Sequence, residues 1–367
     1  MNLTACFPGK YIQGQGTIEL LQQLIEKFGS RALIITSPSA RKHIPCNLLS
    51  NKDLSIIYNF GGECSETELN KVSDIIKMEN AEVIVAMGGG KVIDTGKIAA
   101  DRSSKPVIVV PTIASTDAPC SGCAVTYTNN GEFEKVHYQK LNPAIVLVDT
   151  KIIASAPVRF LISGMGDALA TWFEARSCAN TDSANECGGL STMAGQAIAR
   201  LCYETLLENG ARAIKEYSKI NITPALERII EANILLSGIG FESGGLASAH
   251  AIHNGLTALP ETHDYFHGEK VAFGVLAGLF ISGADQQEIE QVYNFCSAVG
   301  LPVKLSDLGI SRKDHEKLMI VAQKTSEPGS SIHHETIAIT PQIIKDAILN
   351  ADELGRKIHL SSFFTCA

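Results

Sequence analysis

The chain has 367 residues, of which 45% are hydrophobic and 19% are charged, so it is expected to form two folded domains rather than a disordered chain. Its formal net charge of -8 argues against nucleic acid as a partner, because a phosphate backbone is bound by a basic face. No apolar run reaches the ~18 residues that a membrane span requires, and the N-terminus lacks the pattern of a signal peptide, so we expect a cytoplasmic protein without a membrane partner.

The first part of the chain alternates strand-like and helix-like segments. Helical patterns occur at 16–29 and 64–80, where Ser65 and Glu68 predict a capping box. Short runs rich in valine and isoleucine predict parallel strands that are buried on both faces, at 31–37, 54–60, 81–87, 106–112 and 144–150. The alternation predicts an α/β domain with an open, Rossmann-like parallel sheet and helices on both sides.

After about residue 155 the strand-like runs nearly vanish, and long helical patterns follow. They occur at 164–180, 188–210, 223–243, 270–283 and 289–300. We therefore expect an α/β domain over residues 1–155 and an all-α C-terminal domain over residues 156–367.

Gly88, Gly89 and Gly90 stand between a predicted strand and a predicted helix. Glycine lets the backbone approach a pyrophosphate closely, and a helix N-terminus favours negative charge. The run is neither G-x-G-x-x-G nor a Walker A loop, because valine follows Lys91, and a tight turn that serves only packing is the alternative. The loop 111–123, dense in small hydroxyl residues, follows the next strand. Two such loops at neighbouring strand ends favour dinucleotide binding by the first domain.

Cys120 and Cys123 form a C-x-x-C pattern in that loop. A structural zinc site would need a second cysteine pair at a suitable spacing, and the sequence has none. A redox disulfide is the other alternative. We expect ordinary thiols here, as for the chain's ten scattered cysteines in a reducing compartment.

Four of the ten histidines lie within residues 250–270. His250 and His253 are three residues apart, so on a helix they lie on the same side. His267 follows a loop that could return it to face His250. Asp167 stands among small and apolar residues, where a buried carboxylate must be paired or bind a metal, although a helix N-terminal role is the alternative.

Two imidazoles, one carboxylate and an open fourth position describe a catalytic zinc site. Such a metal lowers the pKa of a substrate hydroxyl, and a nicotinamide held by the first domain can accept hydride from the alkoxide. The same ligand types also fit a non-haem iron oxygenase. The nucleotide-binding pattern argues against an oxygenase, but ligand type does not separate Zn²⁺ from Fe²⁺.

Several long segments resemble the metal-dependent, polyol-oxidising branch of the iron-containing alcohol dehydrogenase family. They are MGGGKVIDTGK, PTIASTDAPCS, GMGDALATWFEAR, GFESGGLASAHAIHNGLTAL and HGEKVAFG. The resemblance implies a dehydroquinate synthase-like fold and NAD-dependent oxidation of glycerol to dihydroxyacetone, with the reverse reaction. It also implies a homo-oligomer, often an octamer.

The resemblance implies roles for individual residues as well. Asp167, His250 and His267 would bind the metal, usually zinc, with Fe²⁺ as the alternative. His253 would stand beside the substrate, and Asp117 would contact the polyol. Contacts to NAD would come from Ser37, Gly88, Gly89, Gly90, Lys91, Asp94, Thr112, Ser115, Ser121, Cys123 and Tyr127. Ser37 departs from the family, which commonly has an aspartate there to bind the adenosine ribose.

Other functions share some of these features. A dehydroquinate-synthase-like lyase or a glycerol-1-phosphate dehydrogenase would need several Lys or Arg residues for its anionic substrate, and the helical motifs carry almost none beyond Lys270. A related polyol dehydrogenase, for example of 1,2-propanediol, fits the same site. A non-catalytic metal-binding protein would have no use for a dinucleotide loop.

Overall fold

The computed structural model describes residues 1–129, 131–217 and 221–364. Its strands are β1 (Tyr11–Gly14), β2 (Ala32–Thr36), β3 (Ser55–Asn59), β4 (Val83–Gly88), β5 (Val107–Pro111), β6 (Cys123–Tyr127), β7 (Phe133–Tyr138) and β8 (Ile145–Asp149). Six of them form an all-parallel sheet in the order β1-β8-β5-β4-β2-β3, and β6 pairs with β7 as an antiparallel hairpin. The predicted parallel sheet is confirmed, with five of its strands where the valine- and isoleucine-rich runs lie.

The helices fill the intervals between strands and almost all of the second half. They are α1 (Leu21–Ile25), α2 (Pro38–Arg41), α3 (Cys46–Ser50), α4 (Glu66–Met78), α5 (Gly90–Ser103), α6 (Thr150–Ser155), α7 (Val158–Asn180), α8 (Met193–Lys215), α9 (Pro224–Glu231), α10 (Ser237–Gly244), α11 (Ser248–Leu256), α12 (His267–Ile281), α13 (Gln286–Val299), α14 (His315–Thr325) and α15 (Pro341–Phe364). A π-helical segment, Ala232–Leu236, joins α9 to α10. The predicted sheet domain followed by a helical region is confirmed.

The chain divides into two units. The α/β unit comprises Cys6–Leu161 and Glu216–Gly238, and the helical unit comprises Met1–Ala5, Ile162–Lys215 and Ile239–Ala367. This division differs from the sequence-based boundary after residue 155, chiefly because the segment containing α9 belongs to the α/β unit. A helical pattern shows which residues face a core, but not which core they face.

The core of the α/β unit packs one face of the sheet against short helices. Ile34, Val85 and Ile108 are inaccessible to solvent and belong to one cluster with Leu21 of α1 and Leu48 of α3. Each fully buried side chain of this size contributes about 1.5–3 kcal/mol relative to an exposed one. This burial fixes the ends of β4 and β5, which are followed by the glycine turn and by the loop 111–123.

The N-cap of α4 is only half of the predicted capping box. Ser65 Oγ accepts from Glu68 N–H at 3.4 Å. The Glu68 carboxylate accepts instead from Gly61 N–H at 2.7 Å and from the Tyr58 hydroxyl at 3.0 Å. The buried Glu68 carboxylate therefore hydrogen-bonds to Gly61 and Tyr58, before the helix, rather than to the N-cap residue Ser65.

Two glycines let the helices of the helical unit approach closely. A Cβ on Gly268, at the start of α12, would lie 1.8 Å from Ser163 O on α7. A Cβ on Gly274 would lie 2.3 Å from Ala249 O on α11. Since neither position tolerates a side chain without movement, these contacts hold the N-terminal half of α12 directly against α7 and α11.

The described cysteines form no disulfide bond, and Cys366 lies outside the described residues. Among the helices that the structure describes, none has both the length and the apolar character required to cross a bilayer.

Candidate functional site

Three helices of the helical unit bring one carboxylate and two imidazoles together. Asp167 lies on α7, His250 on α11, and His267 at the first position of α12. Asp167 Oδ1 is 3.0 Å from His267 Nε2 and 3.4 Å from His250 Nε2. One possible ligand atom from each residue lies within 4.8 Å of the others. The residues that the sequence analysis expected to share a metal therefore converge.

A second carboxylate, Glu174, holds the ring of His250. Glu174 Oε2 is 2.6 Å from His250 Nδ1, and Glu174 Oε1 accepts from the backbone N–H groups of Ala247 and His250, each at 2.9 Å. Glu174 follows Asp167 by seven residues on α7, so both lie on one helix face, two turns apart. Because a carboxylate accepts from Nδ1–H, Nε2 is the ring atom that His250 presents to Asp167 and can offer to a cation in place of its proton.

The ring of His267 is held by His253. His267 Nδ1 is 3.0 Å from His253 Nε2, and His253 Nδ1 is 3.0 Å from the side-chain oxygen of Asn254. This oxygen only accepts, so with neutral rings one tautomer set satisfies both bonds: His253 and His267 each donate from Nδ1. Burial, and next the neighbouring His267, lower the pKa of His253 well below its usual value. Nε2 is then the ring atom of His267 that faces Asp167.

The cluster is electron-rich and fits a divalent cation. The side chain of Asp167 is 1% exposed and that of His250 is 14% exposed. Burial raises the pKa of Asp167, but His267 and His250 outweigh it and hold this pKa below its usual range. Burial lowers the pKa of His250, but Glu174 and Asp167 raise it well above its usual value. These atoms favour a positive charge among them, and two imidazoles with one carboxylate suit Zn²⁺ or Fe²⁺.

The helix that carries His250 is anchored at its N-terminus by two buried carboxylates. Besides Glu174, Glu335 accepts from Ser248 N–H at 3.3 Å and from the Ser177 hydroxyl at 2.9 Å. Both carboxylates satisfy N–H groups that a helix start leaves without intrahelical partners, and both oppose the positive end of the helix dipole. Burial raises the pKa of Glu335 above its usual value.

In the α/β unit, the glycine run forms the turn from β4 to α5. Gly88 ends β4, and a Cβ there would lie 2.8 Å from the side chain of Val92. Gly89 is the N-cap of α5 and offers no side-chain cap, and the first turn of α5 has no acidic residue. Gly90 begins the helix. This helix start is therefore suited to an anion.

Lys91 has two neighbours that the sequence did not indicate. Its Nζ is 2.5 Å from Glu63 Oε2 and 5.2 Å from the centre of the Tyr127 ring. Burial, and next Asp94 and Glu63, raise the pKa of Tyr127 above its usual value. The Lys91 side chain is 50% exposed. Exposed ion pairs contribute only about 0–1 kcal/mol, so an anion could displace Glu63 from Lys91.

The loop that carries Asp117 is fastened by the π-helical segment Ala232–Leu236 and the residue after it. Asp117 is buried and its carboxylate accepts from the Ser237 hydroxyl at 3.2 Å. The side-chain amide of Asn233 donates to Ala114 O at 3.1 Å. A π-helical turn is frequent at functional sites because it redirects side chains out of the regular helical pattern.

Four other residues predicted to bind the cofactor lie on or beside this loop. Thr112 N–H donates to Gly88 O at 3.0 Å, which joins the loop to the glycine turn. Ser115 is partly exposed, Ser121 is 1% exposed, and Cys123 begins β6. Their cofactor contacts remain predictions.

Asp94, on the second turn of α5, is buried. Its Oδ2 accepts from Val125 N–H at 3.3 Å, and its Oδ1 is 3.9 Å from Lys97 Nζ. Burial, partly offset by Lys97, raises the pKa of Asp94 to about 6.

Ser37 follows β2 and is the N-cap of α2. Its Oγ accepts from Ala40 N–H at 3.3 Å and lies 3.1 Å from Ser39 Oγ. Arg41, on the same short helix, donates to the side-chain oxygen of Asn59 at 3.0 Å.

Sequence reasoning missed several residues that hold these groups. Glu174 could have been found from its spacing of seven after Asp167, and Lys97 from its spacing of three after Asp94. Asn233 had no local signal, because only the fold brings it to a loop more than a hundred residues away.

Comparison with known proteins identifies the family. Residues 8–150 match the family described as iron-containing alcohol dehydrogenase. The chain is 49% identical over 359 residues to the glycerol dehydrogenase of Thermotoga maritima, covering 97% of this chain and 98% of that protein. It is 46% identical over 354 residues to the glycerol dehydrogenase of Escherichia coli O6:H1, covering 95% and 96%.

A solved structure agrees with the sequence comparison. The crystal structure of a probable glycerol dehydrogenase from Sinorhizobium meliloti 1021 superimposes with a TM-score of 0.91 at 42% identity, covering 97% of this chain and 100% of that one. Since relatives at this identity span nearly the full length of both chains, the chain belongs to the iron-containing alcohol dehydrogenase family.

Proposed function

We propose that the protein is an NAD-dependent glycerol dehydrogenase that oxidises glycerol to dihydroxyacetone and also catalyses the reverse reaction. The observation that carries this proposal is the convergence of Asp167, His250 and His267 in a chain 49% identical to a glycerol dehydrogenase. Each turnover moves one hydride from the carbinol carbon to NAD and releases the hydroxyl proton. The protein is thus an oxidoreductase.

Asp167, His250 and His267 are the proposed metal ligands. We propose zinc as the metal, with Fe²⁺ as the alternative that the same donors would hold. When bound, the metal lowers the pKa of the substrate hydroxyl, and NAD accepts the hydride. Glu174 holds the proton on His250 Nδ1, so that Nε2 stays available as a ligand.

Asp117 and His253 are the proposed substrate-binding and catalytic residues. Asp117 is a buried carboxylate, so it can accept a hydrogen bond from a polyol hydroxyl and orient it. His253 is kept neutral by its lowered pKa and can exchange a proton with the substrate at Nε2 when that atom is released from His267.

The glycine turn and the loop beside it are the proposed NAD site. The start of α5 receives the pyrophosphate, with Lys91 as an additional cation. The proposed contacts are Ser37, Gly88, Gly89, Gly90, Lys91, Asp94, Thr112, Ser115, Ser121, Cys123 and Tyr127.

We propose that the enzyme works in the cytoplasm as a homo-oligomer, up to an octamer, without a nucleic-acid or membrane partner. Light scattering measures the oligomer mass directly.

The lyase alternative is not favoured. A phosphorylated, carboxylated substrate requires several cationic side chains. Of the two cations in the helical motifs, Lys270 is buried with its ammonium 3.4 Å from Thr262 O, and Arg176 is paired with Glu288 at 2.8 Å. A 1,2-propanediol dehydrogenase would use the same proposed chemistry. The oxidation rates of glycerol and 1,2-propanediol distinguish the two activities.

The test is NADH production by protein stripped with a strong chelator and then supplied with Zn²⁺ or Fe²⁺, with glycerol, 1,2-propanediol and ethanol as substrates. We expect no activity in the stripped protein, recovery with the metal, and faster oxidation of vicinal diols than of ethanol. His267→Ala should not recover. His263→Ala, an exposed histidine in the same segment, is the matched control and should recover. Full activity in protein shown to be metal-free, or equal rates for ethanol and glycerol, would refute the proposal.

A further inference from the structure

The side chain of Lys97, in the middle of α5, is 1% exposed. Burial of an ammonium is unfavourable unless it is paired and fully hydrogen-bonded. A lysine on the solvent face of a helix would avoid this cost. The contacts of Lys97 therefore indicate what it does.

The ammonium of Lys97 donates hydrogen bonds to three backbone carbonyls of the loop that follows β5. Its Nζ donates to Ala118 O at 2.8 Å, to Ser121 O at 2.9 Å, and also to Cys123 O. An ammonium has three N–H donors, so these three carbonyls use all of them. Asp94, one turn earlier on α5, supplies the opposite charge at 3.9 Å.

These bonds join two parts of the proposed site. The helix that bears Lys97 starts at the glycine turn, and the first carbonyl that it binds, that of Ala118, directly follows Asp117. Cys123 begins the hairpin strand β6, whose Val125 N–H donates to Asp94. The backbone course of residues 118–123 therefore depends on one buried cation.

We propose that Lys97 is a positioning residue, whose ammonium fixes residues 118–123 and so holds Asp117 and the cofactor residues of this loop in place. The inference rests on the proposed function. The loop has other supports: Asn142 donates to Cys120 O at 3.1 Å and Ser237 donates to Asp117. Loss of the ammonium should therefore misplace the loop without unfolding the α/β unit.

The test compares two variants. Lys97→Met is neutral and of similar length, whereas Lys97→Ala leaves space beside a cavity of about 550 Å³ that Lys97 lines, through which a small amine can enter. We expect NAD to bind at least tenfold more weakly to both, and kcat/KM for glycerol to fall at least tenfold. Zn²⁺ affinity, measured by competition with a chromogenic chelator, should stay within twofold of wild type, because the ligands belong to the other unit.

Chemical rescue distinguishes positioning from a general role in folding. Butylammonium should raise kcat/KM of Lys97→Ala at least fivefold, whereas 1-butanol should not, and Lys97→Met should respond to neither. If Lys97→Ala does not fold, Lys97→Gln, which keeps two N–H donors, replaces it in the NAD titration, and its dissociation constant should lie between those of wild type and Lys97→Met.

Two results would overturn the proposal. One is a Lys97→Met variant whose NAD affinity and kcat/KM stay within twofold of wild type. The other is a loss that zinc affinity shares equally and that the amine does not restore. Because NAD binding is measured directly, a wild-type protein that binds NAD but does not oxidise glycerol would count against the proposed function alone.

Discussion

Around His250, Glu174 and Glu335 differ in what they hold. Glu174 accepts from the ring Nδ1 and from two backbone N–H groups, whereas Glu335 accepts from one backbone N–H and one hydroxyl. Both anchor the start of α11, but only Glu174 touches the ring of a proposed ligand. Glutamine has one acceptor oxygen where glutamate has two, so it loses part of these hydrogen bonds at either position. Comparing the two glutamine variants therefore separates the effect of ring orientation from the effect of anchoring the helix.

We expect Glu174→Gln to weaken Zn²⁺ binding by about 10–100-fold, the usual effect of removing a group that orients a metal ligand. The glutamine cannot serve both the ring and the backbone N–H groups with its single oxygen. Chelator competition measures the affinity. Glu335→Gln is the matched control and should change it less than about threefold, because its contacts do not reach an imidazole. Equal losses in both variants would show that helix anchoring, not ring orientation, controls the affinity.

Ser37 is the residue at which coenzyme choice can be tested. A carboxylate at this strand end accepts bonds from the ribose hydroxyls and repels a 2′-phosphate, and aspartate is also a good N-cap, so Ser37→Asp should preserve α2. We expect the ratio of kcat/KM for NAD over NADP to rise on the order of a hundredfold, mainly through loss of NADP. The neighbouring, exposed Ser39 provides the control variant Ser39→Asp. An unchanged ratio would mean that residue 37 does not face the ribose.

At the scale of elements, four of the five strands that the sequence predicted, β2, β4, β5 and β8, are buried on both faces as expected. The fifth, β3, lies at the sheet edge and is mostly half-buried, so its expected burial was wrong. β1 was missed because its four residues are half-buried at the edge of the sheet, where it pairs with β8. The hairpin strand β7 was missed because nearly all of it is exposed, so it has no buried pattern. An apolar sequence pattern reflects the burial of side chains, and β1 and β7 bury too few side chains to produce such a pattern.

The segment Glu216–Gly238 shows a different limit of sequence patterns. Its helical pattern was recognised, but its place in the α/β unit was not, because the contacts of Asn233 and Ser237 join it to a loop far away in sequence. The metal cluster was easier to predict, since Asp167, His250 and His267 lie in long motifs that resemble a known family. The supporting residues Glu174 and Lys97 were missed because their partners appear only in the fold.

The contact of α5 with β4 sets the position of the glycine turn. It can be tested by moving one methyl group from Ala86 on β4 to Gly96 on α5. A Cβ on Gly96 would lie 2.4 Å from Ala86 Cβ, so Gly96→Ala should lower the free energy of unfolding by about 1–3 kcal/mol. Adding Ala86→Gly restores the space and should recover most of the loss. Urea unfolding of the wild type, both single variants and the double variant measures the coupling. Strictly additive effects would show that the two positions do not meet.

At the scale of the whole molecule, each unit carries a distinct part of the proposed chemistry. The α/β unit holds the glycine turn and the loop with Asp117, and the helical unit holds the metal cluster. The three proposed ligands come from the consecutive helices α11 and α12 and from α7, which lies far from them in sequence. A metal bound to all three would therefore add a link between helices that also meet through close glycine packing and through the hydrogen bonds of Glu174.

This linkage predicts that the metal stabilises the folded protein. A ligand that binds only the folded state at a hundred times its dissociation constant adds about 2.7 kcal/mol, which raises Tm by about 5–10 °C for a domain of roughly 150–250 residues. We expect Zn²⁺ to shift the calorimetric transition of stripped wild type by this amount, and to leave His267→Ala, which lacks a ligand, nearly unchanged. His263→Ala should shift like wild type, because its imidazole is exposed and lies 3.1 Å from Thr257 O rather than in the cluster. A comparable shift in His267→Ala would place the stabilising metal at another site and separate the cluster from metal binding.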